Sequence, residues 1–221
     1  MTTHPFVPLE YRRPTEVDVL DRARTTYVEM NRRRTTRHFS TEPVPHDAIE
    51  FAIRTAGTAP SGAHQQPWTF VAVSSADVKA QIRAAAEEEE QRNYQERMPD
   101  EWLEALAPLG TDEHKPHLTE APWIVVLFRQ TYGVRADGTR RTHYYTQESC
   151  GIAAGFFIAA VHLMGLVTLT HTPTPMAFLG ELLERPANEK AFLVMPVGFP
   201  ASDARVPDLA RKPVGDLAIW R

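Results

Sequence analysis

The 221-residue sequence predicts one soluble globule in which helices alternate with strands, and three observations carry that expectation. Hydrophobic residues make up 43% and charged residues 24%, which is enough apolar material for a core and too much for a disordered chain. Three short apolar runs, at 69–73, 123–128 and 192–197, have the length and the β-branched or aromatic content of strands. Stretches with helical spacing lie between them. Neither a strand-GxGxxG-helix unit nor GxxxxGK(S/T) is present, so Rossmann and P-loop chemistry are not encoded.

In chain order, Leu20, Ala23, Tyr27 and Met30 follow helical spacing after a Pro14-Thr15 start signal. Ile49, Ala52, Ile53 and Ala56 repeat the pattern, and Gly57 stops that helix. A strand is expected at 69–73, then a long helix from Asp77 through Val78, Ile82 and Ala85 into an acidic run. The polar segment 96–120, broken by Pro99, Pro108 and Pro116, reads as a lid or excursion. Strand 123–128 follows, and strand 192–197 comes later despite Pro196 near its end. Between these two, 150–169 is almost wholly apolar, interrupted by His162 and Thr168. Its length approaches the ~20 residues of a membrane span, but Gly165 breaks it. It reads as a buried helix at 144–164, then a turn and a short strand through Val167 and Leu169. A helix apolar all round is covered by the core or by a partner subunit, and here a dimer interface is favoured.

Charge and cysteine usage narrow the function classes. The formal net charge of -4, from 24 basic against 28 acidic residues, does not describe a polycation built for nucleic acid. A single cysteine, Cys150, excludes an internal disulfide framework and a cysteine-cluster metal site. Residues 1–13 have no apolar core and do not read as a secretory leader, so a cytoplasmic protein is expected.

Four places could carry chemistry. Arg32, Arg33, Arg34 and Arg37, with Thr35 among them, suit a phosphate; they equally suit a solvated helix end that complements the helix dipole. A nucleic-acid face is a third reading, without aromatic interleaving to support it. The Pro60-Ser61-Gly62-Ala63-His64 turn exposes backbone N–H groups to a flat ligand, or is a plain helix-to-strand loop. Thr168, Thr170 and Thr172 share one side of an extended segment, as a hydroxyl row or simply as an exposed strand face. Glu87 to Glu90 resemble a solvated acidic face, yet Glu90 and Tyr94 share a helix face and Lys115 lies on the same excursion. An acid, a phenol and an ammonium there could hold an amino-acid zwitterion. His114 and His117 lack the carboxylate frame of a metal site, so no metal is expected, and Cys150 reads as a small core residue.

Together these pieces resemble the FMN-dependent nitroreductase superfamily and, within it, the iodotyrosine deiodinase branch, over residues 32–213. The motifs are RRRTTR at 32–37, PSGAHQQPW at 60–68, EEQRNY ending at Tyr94 and KPHLTEAPW at 115–123. GLVTLTHTP at 165–173, RPANEKAFLVMPVGFP at 185–200 and VPDLARKP at 206–213 complete the set. PSG turns and arginine-rich starts are widespread in the superfamily; their pairing with the Glu90, Tyr94 and Lys115 lid is specific to the branch.

The resemblance implies an α+β nitroreductase-like fold, a mixed central sheet flanked by helices, in a single FMN-binding domain at 1–221 with a lid at about 87–120. It implies an intertwined homodimer with FMN at the subunit interface. Arg33, Arg34, Thr35, Thr36 and Arg37 match phosphate and ribityl contacts, and Arg211 matches a further cofactor contact. Ser61 and the segment Thr170, His171 and Thr172 match flavin contacts, with the catalytic hydroxyl of Thr172 at flavin N5, where it favours passing electrons singly. The backbone of Ala63 would meet the substrate phenolate, Glu90 its ammonium, and Lys115 with Tyr94 its carboxylate. The implied activity is reductive removal of halide from a halogenated tyrosine, fed by an unidentified reductase or NAD(P)H. A general FMN-dependent nitroreductase or quinone reductase is the competing reading, and a non-catalytic flavin- or halotyrosine-binding protein is a third. The animal enzymes of the branch carry an N-terminal membrane anchor; without one, this chain reads as a soluble microbial-type member, with neither membrane nor nucleic acid as partner.

Overall fold

The computed structural model describes residues 5–221, so the first four residues of the stretch read above as no leader lie outside the described residues. The chain divides into two compact units, Met1–Arg33 and Arg34–Arg221. In the first, helix α1 (Glu16–Arg32) starts where the Pro14-Thr15 signal places it. Thr15 forms a capping box, accepting from the Asp18 N–H at 3.1 Å while its own N–H donates to the Asp18 carboxylate at 3.1 Å. Glu16 and Asp18 in the first turn and Arg32 in the last complement the helix dipole.

The second unit is built on a sheet of order β1-β2-β6-β5, formed by β1 (Trp68–Val73), β2 (Trp123–Gln130), β6 (Glu189–Gly198) and β5 (Val167–Thr168). Strand β2 is central, and its residues from Ile124 to Phe128 are fully buried. Successive side chains point to opposite faces. Val125 and Leu127 meet α2 (His46–Gly57) and α6 (Thr146–Leu163) through Ala52, Ala56, Ala154 and Phe157. Ile124, Val126 and Phe128 meet α3 (Ala76–Arg92), α5 (His117–Glu120) and α7 (Ala177–Leu182) through Ile82, Ala86, Leu118 and Leu179. An unbroken apolar run is what a strand covered on both faces requires. Two short helices, α4 (Asp100–Leu106) and α8 (Val214–Leu217), complete the helical set.

The expected elements form, with informative differences. Every named strand pair is antiparallel; the parallel component of the expected mixed sheet is confined to an isolated bridge between Thr35 and Thr168. A hairpin of β3 (Tyr132–Val134) and β4 (Arg140–Thr142) was not foreseen, although the Asp137-Gly138 pair is its signal. Gly138 takes φ 81°, and the Asp137 side chain accepts from the Thr139 N–H at 2.9 Å. Strand β5 stops at Thr168, short of the expected reach through Leu169. Pro196 is tolerated in β6 because of that. Val194 exchanges both backbone bonds with His171 at 2.9 Å, so Pro196, two residues on, turns its missing N–H to the same side. There the chain between Thr168 and His171 has left the ladder.

Helix α6 forms near its expected bounds, with one face left uncovered by the chain itself. Its inner face is buried at Cys150, Ala153, Phe157 and Val161, but Ile152, Phe156 and Leu163 are 41%, 40% and 65% exposed. Coverage on every side is therefore not achieved within one chain. Among the described residues, no helix is long and apolar enough to cross a membrane.

At the end of β6, Gly198 lies under Pro122 and Phe39. A Cβ there would stand 2.6 Å from Pro122 Cδ and 3.2 Å from Phe39 Cδ1, against a rigid ring and a buried one. Gly198→Ala is expected to cost about 1–3 kcal/mol, the usual range for overpacking, measured as a lowered urea midpoint with an unchanged m value.

Candidate functional site

The end of α3, the excursion that follows it and the segment after β5 enclose a cavity of about 500 Å³. The polar excursion carries regular structure of its own. It runs through a π-helical turn (Asn93–Arg97), α4 and a 3-10 turn (Ala107–Leu109), and it turns Met98, Trp102 and Leu106 toward the cavity. Asn93 ties it to the opposite wall by donating from Nδ2 to the Thr174 carbonyl at 2.8 Å.

Four ionisable side chains in the wall are buried: Glu90, Lys115, His117 and His171. Glu90 Oε2 lies 3.6 Å from Lys115 Nζ, and Glu90 Oε1 lies 2.9 Å from His171 Nε2. Lys115 also donates to Thr111 Oγ1 at 3.2 Å and to the Asp112 carbonyl, with its ammonium 5.4 Å from the centre of the Tyr94 ring. The Tyr94 hydroxyl donates to the Thr111 carbonyl at 3.0 Å. The His117 and His171 rings meet edge to face, 5.5 Å apart. The structure thus brings Glu90 and Tyr94, which share a helical spacing, into one cavity with Lys115 from further along the excursion.

One face of α3 positions these groups. Lys79 donates to the carbonyls of Ala121 at 2.7 Å and Thr119 at 3.2 Å, and Arg83 donates to Thr119 Oγ1 at 2.9 Å. Glu87 accepts from Arg83 at 2.8 Å and from the backbone N–H of Lys115 at 2.7 Å. The acidic run is therefore no uniform solvated face: Glu87 fixes the backbone of Lys115, Glu89 pairs with Arg92 and Arg97, and Glu90 turns inward.

Burial dominates the electrostatics. It pulls Lys115 below its ordinary value, against the opposing pull of Glu90, and it pushes the Tyr94 phenol up. Burial also lowers Arg37 and His171, the latter despite its bond to Glu90. His117 falls to about 3, through burial first and then the neighbouring His171, Lys115, Arg37 and Arg83. Cys150 is raised to about 12 by burial, the behaviour of a core thiol rather than a nucleophile.

The remaining sequence-derived residues divide into groups. Arg34 donates to the Pro207 carbonyl, Thr35 bridges Thr168, and the buried Thr36 donates its N–H to the Thr168 carbonyl at 3.3 Å. Arg37 lines the main cavity and also a smaller one of about 280 Å³, which it shares with Thr35, His38 and Arg205. Thr170 and Thr172 line the main cavity as exposed residues, whereas Thr168 is buried, so the expected row of three hydroxyls is two. The strand ends before the alternation can extend to all three. His171 points its ring at Glu90 and His117. Arg33 caps α1 in the first unit, and Arg211, on the exposed segment before α8, lines neither cavity.

Ser61 and Ala63 also lie outside both cavities. Their loop is strapped to the approach to α6: Gln65 donates to the Thr142 carbonyl and accepts from the Tyr144 N–H, both at 2.8 Å. A Cβ on Gly62 would stand 2.8 Å from the Tyr144 carbonyl oxygen. Ala63, His64 and Gln66 all adopt left-handed φ values of 49°, 53° and 47°. Strain of this kind in non-glycine residues concentrates at binding loops.

A sequence profile described as "Nitroreductase family" matches residues 30–199, most of the chain and every element from the end of α1 through β6. The chain belongs to the nitroreductase family. Within it, the chain is 54% identical over 207 residues to an iodotyrosine deiodinase of Haliscomenobacter hydrossis, covering 94% of this chain and 93% of that one. It is 44% identical to human iodotyrosine deiodinase 1, over 96% of this chain and 74% of the relative. Among solved structures it is similar to an oxidised iodotyrosine deiodinase bound to FMN and 3-iodo-L-tyrosine, with a TM-score of 0.75 and 28% identity. That similarity covers 89% of this chain and 97% of the other. A BluB-like flavoprotein from Clostridium difficile, 19% identical with a TM-score of 0.66 over 88% of this chain and 97% of its own, shares the fold.

The sequence offers His117 only as half of an HxxH spacing and, through the family motif, places His171 with the cofactor; neither signal discloses that the two rings meet edge to face, with His171 on Glu90. Among the described residues one grouping has metal-type ligand atoms close together, His46, Asp47 and Glu50 in the N-terminal part of α2, and it is largely exposed.

A histidine buried neutral makes stability depend on pH. With its folded value near 3 and an ordinary value of 6.5, His117 contributes nothing unfavourable above pH 6.5 and progressively favours unfolding below it. Between pH 7.5 and pH 5 this group alone is expected to remove about 2 kcal/mol, or about 1.4 kcal/mol per pH unit once below 6.5. Urea unfolding at the two pH values should show that loss in the wild type and a correspondingly smaller loss in His117→Phe.

Proposed function

We propose that this chain is an FMN-dependent reductive dehalogenase that removes halide from halogenated tyrosine. The observation that carries the reading is the buried Glu90–Lys115 pair beside Tyr94 in a cavity of about 500 Å³. A zwitterionic amino acid can enter such a pair without a change in charge count, its ammonium replacing Lys115 at Glu90 and its carboxylate replacing Glu90 at Lys115. Both protein charges then exchange one partner for another instead of being left unpaired, which in a buried site would cost several kcal/mol. The 54% identical bacterial relative and the solved structure, which holds both FMN and 3-iodo-L-tyrosine, support the same substrate class.

The donor set fits FMN. Guanidinium groups at Arg34 and Arg37 and hydroxyls at Thr35 and Thr36 lie on one short segment that runs beside the strand leading to Thr172. Such forks and hydroxyls suit a phosphate with its polyol chain. We assign Arg33 and Arg211 to the same cofactor by their match to the family motifs. When bound, FMN supplies the two electrons that, with one proton, convert a carbon–halogen bond into C–H and halide. From the cavity wall Thr172 would offer its hydroxyl hydrogen to the flavin. Met98, Trp102 and Leu106 would cover the substrate and exclude water, and the Lys115 ammonium, with the Tyr94 hydroxyl once it exchanges the Thr111 carbonyl for the substrate, would hold its carboxylate.

Ser61 and the Ala63 N–H, which we assign to flavin and phenolate, are held on the α6 side of the sheet rather than in the cavity. A second copy of the chain is therefore proposed to complete the site. The exposed face of α6, with Phe156 and Ile152 standing beside Gly151 and Gly155, supports that association. Phe156→Glu is expected to give a monomer by light scattering and to purify with less than half of the wild-type flavin.

The decisive assay reduces FMN-loaded protein anaerobically with dithionite in the presence of 3-iodotyrosine and measures iodide. Iodide release is expected, and Lys115→Gln should raise KM about 10- to 100-fold, the worth of a charged hydrogen bond, with a smaller change in kcat. No iodide, together with NAD(P)H-driven reduction of nitroaromatics and an unaffected Thr172→Ala variant, would establish a general nitroreductase instead.

A further inference from the structure

The two oxygens of Glu90 have different partners. Oε2 faces Lys115, which sits on the excursion, at 3.6 Å. Oε1 is bonded at 2.9 Å by His171, which sits on the sheet: its backbone N–H and carbonyl are both paired with Val194 of β6 at 2.9 Å. A carboxylate only accepts, so His171 Nε2 carries the hydrogen of that bond. Burial lowers the ring below its ordinary value and so favours the neutral form, in which Nδ1 is a lone pair, and Nδ1 has no hydrogen-bond partner among the described residues. The only donor of the ring is therefore committed to Glu90 Oε1.

We propose that His171 is a positioning residue for substrate recognition, pinning Glu90 Oε1 to the sheet so that Oε2 is presented to the ammonium of the incoming amino acid. This deepens the function proposed above and rests on it. It transfers the His171 side chain from the cofactor group to the substrate group. Imidazole suits the task better than a permanent cation. Lys115 and Arg37 already place positive charge around this point, with Arg83 beyond His117. A further cation on Oε1 would neutralise the carboxylate and weaken its attraction for an ammonium, whereas a neutral N–H orients it and leaves its charge available. Anchorage matters as well. Lys115 must release Oε2 when substrate arrives, and His171, fixed by β6, keeps the carboxylate from following it.

The test uses FMN-loaded protein and quenching of flavin fluorescence by two probes, 3-iodotyrosine and its deaminated analogue 3-(4-hydroxy-3-iodophenyl)propanoate. The wild type should bind the amino acid more tightly. His171→Phe is expected to lose about tenfold in affinity for iodotyrosine, the worth of one charge-assisted bond, and less than twofold for the analogue, with FMN content unchanged. His171→Gln, which restores an N–H on a side chain of similar reach, should recover most of the difference. Equal losses for both probes, an undiminished preference in His171→Phe, or loss of FMN from both variants would each overturn the positioning role. Equal binding of the two probes by the wild type would instead overturn the amino-acid reading from which it starts.

Discussion

The burial of β2 on both faces is the constraint from which the rest of this architecture follows. A strand apolar at every position from Ile124 to Phe128 must be covered twice. One cover, α2 with α6, carries the 61–66 loop on its margin; the other, α3 with α5 and α7, carries Glu90 and the return of the excursion at Lys115. The sheet thus separates the two halves of the proposed chemistry within a single chain. The apolar face left open on α6 and the absence of Ser61 from the cavity are two expressions of that separation.

Much of this was legible because it depends on local patterns. The 3.6-residue spacing of Ile49, Ala52 and Ala56, the Thr15 cap and the continuous run of β2 are signals that local physics enforces, and each element formed within a few residues of its expected bounds. The end of β5, and with it the reason Pro196 is tolerated near the end of β6, was not legible, because both depend on which strand leaves the ladder first. The β3–β4 hairpin was legible at Asp137-Gly138, but its three-residue strands are too short to show a period.

In the site, spacing was a sound guide where the chain stays regular. Glu90 and Tyr94 do share the cavity, although Tyr94 sits in a π-helical turn rather than on α3 itself. Spacing could not disclose partners distant in sequence. His171 lies 81 residues from Glu90, and its ring is aimed by a backbone bridge to Val194. Nor could the four consecutive glutamates be told apart from composition. Their separate partners are Arg83, Arg92, Arg97, the Lys115 backbone and His171, and these emerge only when the excursion has folded back.

Lys79, Arg83 and Glu87 stand at successive turns of one α3 face, directly before Glu90, and together they grip the chain from Lys115 to Ala121. That grip sets where the excursion begins and ends. The excursion leaves α3 at Arg92 and is pinned again at Lys115, whose backbone is stapled to Glu87. Aromatic and aliphatic cover from Met98, Trp102 and Leu106 lies inside those limits, and the backbones that carry both charges lie at or beyond them. The electrostatic address of the site is thus set by α3 and its grip on the chain, independently of how the hydrophobic roof above it packs.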